Sequence, residues 1–533
     1  MTNLFKRKRP FRLTQIAQAA TVLIAIVVAV SAPAQAQKVV STAPATLLPN
    51  LGDGLDMAPS AERRLGDRIA RELYRDPDYI DDPVIMEYVQ AIWQPLLAAA
   101  RARGEVTPEL DSTYAWTVVL GRDRTVNAFA LPGAYLGLHL GLVGVVSSRD
   151  ELASVLAHEL SHVTQRHISR MVARQGEQAP WLMGAMILGM LAASKSPNAA
   201  SAVIVGGQAV AAQTQLNFSR DMEREADRIG FGVSTQAGFA PQGFVSMFEK
   251  LQQASRLTDS GAFPYLRSHP LTTERMADMQ TRIPESSPAT GTPGPTGQTM
   301  EHSMIAARAR VLSNAGADTL RAWAAEIEPA HLARLPIGQQ AGVLYGAGLA
   351  AIKQRDFVQA LSLLSQLRER TRSDAAASRL VRMLDAEMWL AQGDGPRALQ
   401  ALRSAAARGG AVASGQPTSR AELFLTAQAQ QSGDTAAVAQ SLQAWVAEHP
   451  LDASAWQWLA TTHAAQGRVV SAIHAQAEMN VAQMDLPAAL TRYKAAQNMV
   501  RQGQAGVDHI EASIIDTRTR QIEALVREQT QER

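Results

Sequence analysis

The stretch Leu152-Ala153-Ser154-Val155-Leu156-Ala157-His158-Glu159-Leu160-Ser161-His162 decides how this chain is read. Leu152, Val155, Leu156 and Leu160 recur at helical spacing and give the segment an apolar face, which predicts a helix. At about 100° per residue, His158 and His162 lie about 40° apart, so both imidazoles face one way and can share one Zn²⁺. Glu159 stands next to them and can reach a water molecule rather than the metal. A catalytic zinc also needs a third protein ligand and an open fourth position.

The candidate third ligand lies in Ser219-Arg220-Asp221-Met222-Glu223-Arg224-Glu225-Ala226-Asp227. Glu223 and Asp227 are four apart on a second helix, so Glu223 can ligate while Asp227 hydrogen-bonds a ligating imidazole and fixes its tautomer. Taken alone, this segment reads as an ordinary solvated, charged helix face. Beside the His158–His162 helix, the ligating role becomes the better reading.

His158 to His162, the Glu223-x-x-x-Asp227 spacing, and Ser268-His269-Pro270 followed by Arg275 together resemble the gluzincin family of HtpX-like and CAAX prenyl proteases. Upstream, Asn127-Ala128-Phe129-Ala130-Leu131-Pro132-Gly133 matches a segment those enzymes carry as a sheet edge beside the active site. The resemblance covers about residues 58–283. It implies a zincin-type metalloprotease fold with a small sheet and zinc on His158, His162 and Glu223. Glu159 would be general base and acid, and Asp227 and Arg275 would support the site. It places His269 near the metal, either stabilising the oxyanion or taking the water position as a fourth, self-inhibiting ligand. The edge near 127–133 would hold an extended peptide by backbone hydrogen bonds. One departure is Gly133-Ala134, where relatives usually have two glycines; it bears on the edge-strand geometry. The remaining histidines read as structural. Among them, His167 lies nine positions after His158, about 180° around a continuous helix, and so is expected to face away from the metal.

Between the ligand segments lie Trp181–Ala193, with no charge, and Ala199–Gln213, nearly as apolar. Each is too short for a comfortable membrane span. The region 181–213 reads as a buried hairpin, as a Met-rich lid, or as a surface touching membrane or an unfolded client.

Lys6, Arg7, Lys8, Arg9 and Arg12 precede the apolar run Ile16–Val30 and an Ala34-Gln35-Ala36 cleavage pattern. This predicts an export signal over 1–36, cleaved near Ala36, with an uncleaved anchor as the alternative. The chain has 51 Lys and Arg against 49 Asp and Glu, a net of +2. Losing those five bases brings the mature net charge to −3, with no basic patch to argue for nucleic acid. Cysteine is absent, which excludes disulfides and thiolate metal sites. Any metal must be held by His and carboxylate. Export and the family resemblance imply the periplasm.

Residues 37–57 read as a tether, and 284–299, rich in Pro, Gly, Ser and Thr, as a linker. Strands are expected over 114–120, 128–131 and 134–138. Beyond 300 the chain is Ala-rich and helical. Leu344, Ala347, Gly348, Ala351, Ala360, Leu364 and Leu367 follow tetratricopeptide spacing. Glu422, Leu425, Ala429, Val438, Leu442, Trp445 and Pro450 repeat it, and Trp456, Leu459, Ala460, His463 and Ala472 follow one period of about 34 residues later. The predicted class is therefore α+β, mostly helical. A metalloprotease domain with a small sheet (58–283) precedes an all-α tetratricopeptide solenoid (300–533) whose concave face would take a partner or an unfolded client. With the leader and the repeats, the chain is similar to the periplasmic, barrel-assembly branch of the family. That resemblance implies misassembled outer-membrane β-barrel proteins as clients and the β-barrel assembly machinery as partner. The alternative is a chaperone or scaffold whose zinc site is mostly latent.

Overall fold

A hydrogen-bonded Asp before a proline opens the longest helix of the N-terminal half. Asp82 caps α2 (Pro83–Ala102) by accepting from the Ile85 N–H, while Pro83 occupies the first turn, where no N–H is needed. The computed structural model describes residues 57–173, 219–257, 263–283, 299–403, 419–431, 433–503 and 509–531. The leader, nearly all of the tether, the apolar region 181–213 and nearly all of the linker lie outside the described residues. Among the described residues no helix is long and apolar enough to cross a membrane.

Before α2 comes α1 (Pro59–Arg75); after it come the short α3 (Pro108–Thr113) and a three-stranded sheet. The strands β1 (Thr117–Gly121), β2 (Ala128–Leu131) and β3 (Tyr135–His139) are ordered β1-β3-β2. β1 runs parallel to β3 and β2 antiparallel to it, with Ala130 opposite Leu136. β2 is thus an edge strand. The first strand begins at Thr117, three residues later than expected, because α3 runs to Thr113 and Trp116 turns the chain at a φ of 50°. The corner between β2 and β3 puts Gly133 (φ 71°) and Ala134 (φ 62°) in the left-handed region. The alanine that departs from the family pattern is therefore held where glycine is the unstrained choice.

α1 crosses directly over this corner. A Cβ added at Gly66 would stand 1.9 Å from the Pro132 carbonyl oxygen, so only glycine allows the approach. Gly66→Ala should gain about 1 kcal/mol in helix propensity. We nevertheless expect it to lose on the order of 1–3 kcal/mol overall through overpacking, read as a lower denaturation midpoint.

After the sheet, α4 (Leu140–Val145) and α5 (Arg149–Thr164) lead to α6 (His167–Ala173). Next come α7 (Arg220–Gln236), α8 (Gln242–Leu257), α9 (Tyr265–Ser268) and α10 (Thr273–Arg282). From α11 (Met300–Ser313) onward the described chain is entirely helical. Helices starting at Arg420, Ala453 and Leu486 recur at nearly the tetratricopeptide period of about 34 residues. Ser419, Asp452 and Asp485 cap them, each accepting from the N–H three residues on.

The two halves share one hydrophobic core, running from Leu65 through Leu160 and Met304 to Leu425. Buried His302 of α11 joins them: Tyr88 donates its hydroxyl to Nδ1 at 2.7 Å, and Nε2 donates to the Val146 carbonyl at 2.9 Å. Three arginines of the helical half grip the acidic start of α2. Arg308 donates to Asp82 at 2.8 and 2.7 Å and pairs with Glu387 at 2.9 Å. Arg379 bridges Glu87 and Glu422, and Arg420 bridges Asp81 and Asp452. Further along, Arg71 of α1 donates to the Met484 carbonyl at 2.9 Å, and Arg75 pairs with Asp485 at 3.1 Å.

Candidate metal centre

α5 is buried from Asp150 to Thr164, so it is a central helix rather than a surface one with a single apolar side. Its start is fixed by Ser148, which accepts from the Glu151 N–H, while Glu151 reaches back to accept from the Ser147 N–H. α7 lies against it at close range. A Cβ on Gly230 would come within 3.0–3.1 Å of the backbone at Ala157 and His158, so glycine lets α7 approach until Glu223, two turns earlier, reaches the histidines.

His158, His162, Glu223 and His269 converge, all buried, with one ligand atom from each lying within 4.8 Å of the others. His158 Nε2 is 3.0 Å from His162 Nε2 and 3.3 Å from His269 Nδ1. Glu223 Oε1 is 3.0 Å from His269 Nδ1 and 3.4 Å from His162 Nε2, and its Oε2 is 3.5 Å from His158 Nε2. For Zn bonds of about 2.0–2.2 Å, the corners of a tetrahedron stand roughly 3.3–3.6 Å apart. The separations of 3.0–3.5 Å come close to that spacing, and the set, three imidazole nitrogens and a carboxylate without thiolate, could hold a metal ion.

Each group is held from behind. His158 Nδ1 lies 2.9 Å from Asp227 Oδ1. Arg275 clamps Asp227 with bonds of 2.6 and 2.8 Å, and its Nη1 also reaches Glu223 Oε2 at 2.8 Å. His162 Nδ1 lies 2.8 Å from His167 Nδ1, whose Nε2 is 3.1 Å from Glu225 Oε2. The Tyr265 ring stacks on His269 at 4.6 Å and 28°. Glu159 Oε2 accepts from the Ala130 N–H of edge strand β2 at 2.9 Å, and Oε1 stands 3.4 Å from His269 Nε2.

Burial and charge set the protonation states. Burial raises the Glu159 carboxyl above its ordinary value, with His269 and His158 pulling the other way. Burial also pushes Glu223 and Asp227 upward. In Glu223, His269, His158 and His162 outweigh it and hold the carboxyl well below the usual range; in Asp227, Arg275 and His158 do the same. His162 is driven far down by burial. His167 falls to about 4 for the same reason, against the pull of Glu225. His158 is the exception: burial disfavours its charged form, but Asp227 and Glu223 raise it to about 10.

The residues singled out from sequence, namely His158, Glu159, His162, Glu223, Asp227, His269 and Arg275, all lie in this cluster. His167 differs from expectation. The helical-wheel angle assumed one continuous helix, but α5 ends at Thr164 and Arg166 reverses the chain at a φ of 53°, folding His167 back under His162. No glycine or proline marks this reversal in the sequence, Thr164-Gln165-Arg166-His167. Tyr265, Glu225 and the Ala130 N–H were also missed, since only tertiary packing brings them in.

The model of peptidase family M48 matches residues 87–283. A Vibrio cholerae protein whose name provisionally assigns it as a beta-barrel assembly-enhancing protease is 33% identical over 325 residues. That match covers 60% of this chain and 63% of that protein, just under two thirds of its length. The beta-barrel assembly-enhancing protease of Yersinia pestis is 29% identical over 437 residues, covering 81% of this chain and 83% of its own. That of Escherichia coli K12 is 30% identical over 356 residues, covering 65% and 67%.

Proposed function

Because this chain belongs to peptidase family M48, a family of metalloproteases, we propose that it is a periplasmic zinc endopeptidase of outer-membrane protein quality control. Its substrates on this reading are misfolded or stalled β-barrel proteins, a reading supported by relatives whose names tie them to β-barrel assembly. The observation that carries this reading is the set of four buried donors gathered within 4.8 Å of one another, with the Glu159 carboxylate 3.4 Å from His269. His158, His162 and Glu223 would hold a zinc ion, which when bound would polarise the scissile carbonyl and acidify water at the site. Glu159 accepts the proton of the attacking water and delivers it to the leaving amine. Asp227, tied by Arg275, keeps His158 in the ligating tautomer. The helical half, read as a tetratricopeptide domain over 300–533 joined through 284–299, presents clients or docks the β-barrel assembly machinery. The leader delivers the chain to the periplasm, and 181–213 supplies any peripheral membrane contact.

His269 Nδ1 lies 3.3 Å from His158 Nε2 and 3.0 Å from Glu223 Oε1, where it would serve as a fourth ligand and close the site at rest. This favours a second reading, that of a chaperone or scaffold whose protease is mostly latent. The test is elemental analysis together with casein cleavage. We expect one zinc per chain and cleavage that stops with chelator and returns with zinc. If the closed state holds nine molecules in ten, His269→Ala should raise turnover about tenfold with zinc retained. A zinc-free wild type, or cleavage that survives chelation, would end the protease reading. Equal client rescue by a Glu159→Gln protein would favour the scaffold.

A further inference from the structure

The two histidines on α5 are supported in different ways. His158 has a carboxylate directly behind it, Asp227, which lies on the same face of α7 as Glu223. The Nδ1 of His162 instead faces another ring nitrogen, that of His167. The next carboxylate of α7, Glu225, points about 200° around the helix from Glu223, toward α6. The gap is spanned by a second imidazole. His167 is fully buried, with Nδ1 2.8 Å from His162 Nδ1 and Nε2 3.1 Å from Glu225 Oε2, and Arg170 Nη1 donates to the same oxygen at 2.9 Å.

The backbone is bent to make this possible. Arg166 sits in the left-handed region at a φ of 53°, unusual for a residue other than glycine. Its guanidinium is anchored on the Met57 carbonyl and on Glu62. That reversal turns His167, five positions after His162, back beneath it.

We propose that His167, held by Glu225 and Arg170, is a positioning residue that fixes His162 as a metal ligand. A metal on His162 Nε2 requires the ring proton on Nδ1. That proton is then donated to His167 Nδ1, and the His167 proton on Nε2 is donated to Glu225. The chain of donors and acceptors has one consistent direction, ending on a carboxylate that Arg170 keeps ionised. His162 thereby gains the orientation and basicity that His158 takes from Asp227 directly. The inference rests on the metal reading of the site.

The test uses the full-length zinc protein and three variants, with the zinc dissociation constant measured by chelator competition and the metal-free melting temperature measured alongside. His167→Leu removes the acceptor and should weaken zinc about 10–100-fold. His167→Asn keeps an acceptor near the Nδ1 position and should stay within about threefold of wild type. Glu225→Gln, at the half-exposed end of the relay, should weaken zinc severalfold at an unchanged metal-free melting temperature. The proposal is overturned if His167→Leu binds zinc as wild type does, or if His167→Leu and His167→Asn lose affinity equally. Should His167→Leu fail to fold, an unchanged zinc affinity in Glu225→Gln overturns it alone. A wild type that binds no zinc refutes the metal reading instead, before the variants are compared.

Discussion

Glu159→Gln should reduce peptide hydrolysis by about 10²–10⁴-fold while zinc content and melting temperature stay at wild-type values. The substitution is nearly isosteric. A glutamine carbonyl can still accept from the Ala130 N–H, so the hydrogen bond that positions the side chain survives. What is lost is the ability to take a proton. Burial already lifts the Glu159 carboxyl upward, which brings its proton affinity closer to the working pH of a general base. The loss should therefore fall on kcat, with KM little changed, because the side chain acts in the transition state rather than in peptide docking. Steady-state kinetics on a quenched peptide, with zinc measured on the same samples, decides it. More than a tenth of wild-type kcat at full zinc occupancy would show that another group takes the proton.

Arg308→Ala should cost about 3–5 kcal/mol, the largest stability loss expected of any single change outside the site. Arg308 is buried, donates twice to Asp82, pairs with Glu387 and donates to the Tyr345 hydroxyl at 3.1 Å. Truncation leaves the buried Asp82 carboxylate without its counter-charge while that carboxylate still caps α2. Arg420, gripping Asp81 and Asp452, should behave similarly but more mildly, since its surroundings are wetter. Denaturant titration should show both losses in one cooperative transition. A loss under 1 kcal/mol for Arg308→Ala would show that this clamp adds little to the packing around it. Acid should loosen the pair that Arg420 makes with Asp452 within the helical half. Burial works to raise Asp452, but Arg420 holds its carboxyl below the ordinary value. Its stabilisation is therefore present above the ordinary carboxylate range and is lost as pH falls through the lowered value.

Much of the site was legible because its signals are local. A four-residue spacing puts His158 and His162 on one face of any helix, and the strand Ala128–Leu131 has the bounds expected of it. The 223–227 pair became readable only beside that helix, because an isolated charged segment looks like a solvated face. Illegible were features set by chain reversals at residues other than glycine. Arg166 turns His167 inward, and Trp116 delays the first strand. The joint between halves was also hidden. Asp81, Asp82 and Glu87 look like ordinary acids at a helix start, and their arginines lie hundreds of residues away, at 308, 379 and 420.

That joint bears on how such a protein can be divided or recombined. The Pro- and Gly-rich stretch at 284–299 reads as a seam between interchangeable modules, a natural place to cut or to graft another recruiting domain. The shared core and the buried arginine clamps make it a seam in sequence only. Severing the chain there would strip the metal-binding half of the counter-charges for Asp81, Asp82 and Glu87 and uncover apolar surface along α2 and α4. Domain shuffling at this seam would have to carry α11 and its arginine along, so the two halves are expected to have diversified as a pair rather than as exchangeable parts.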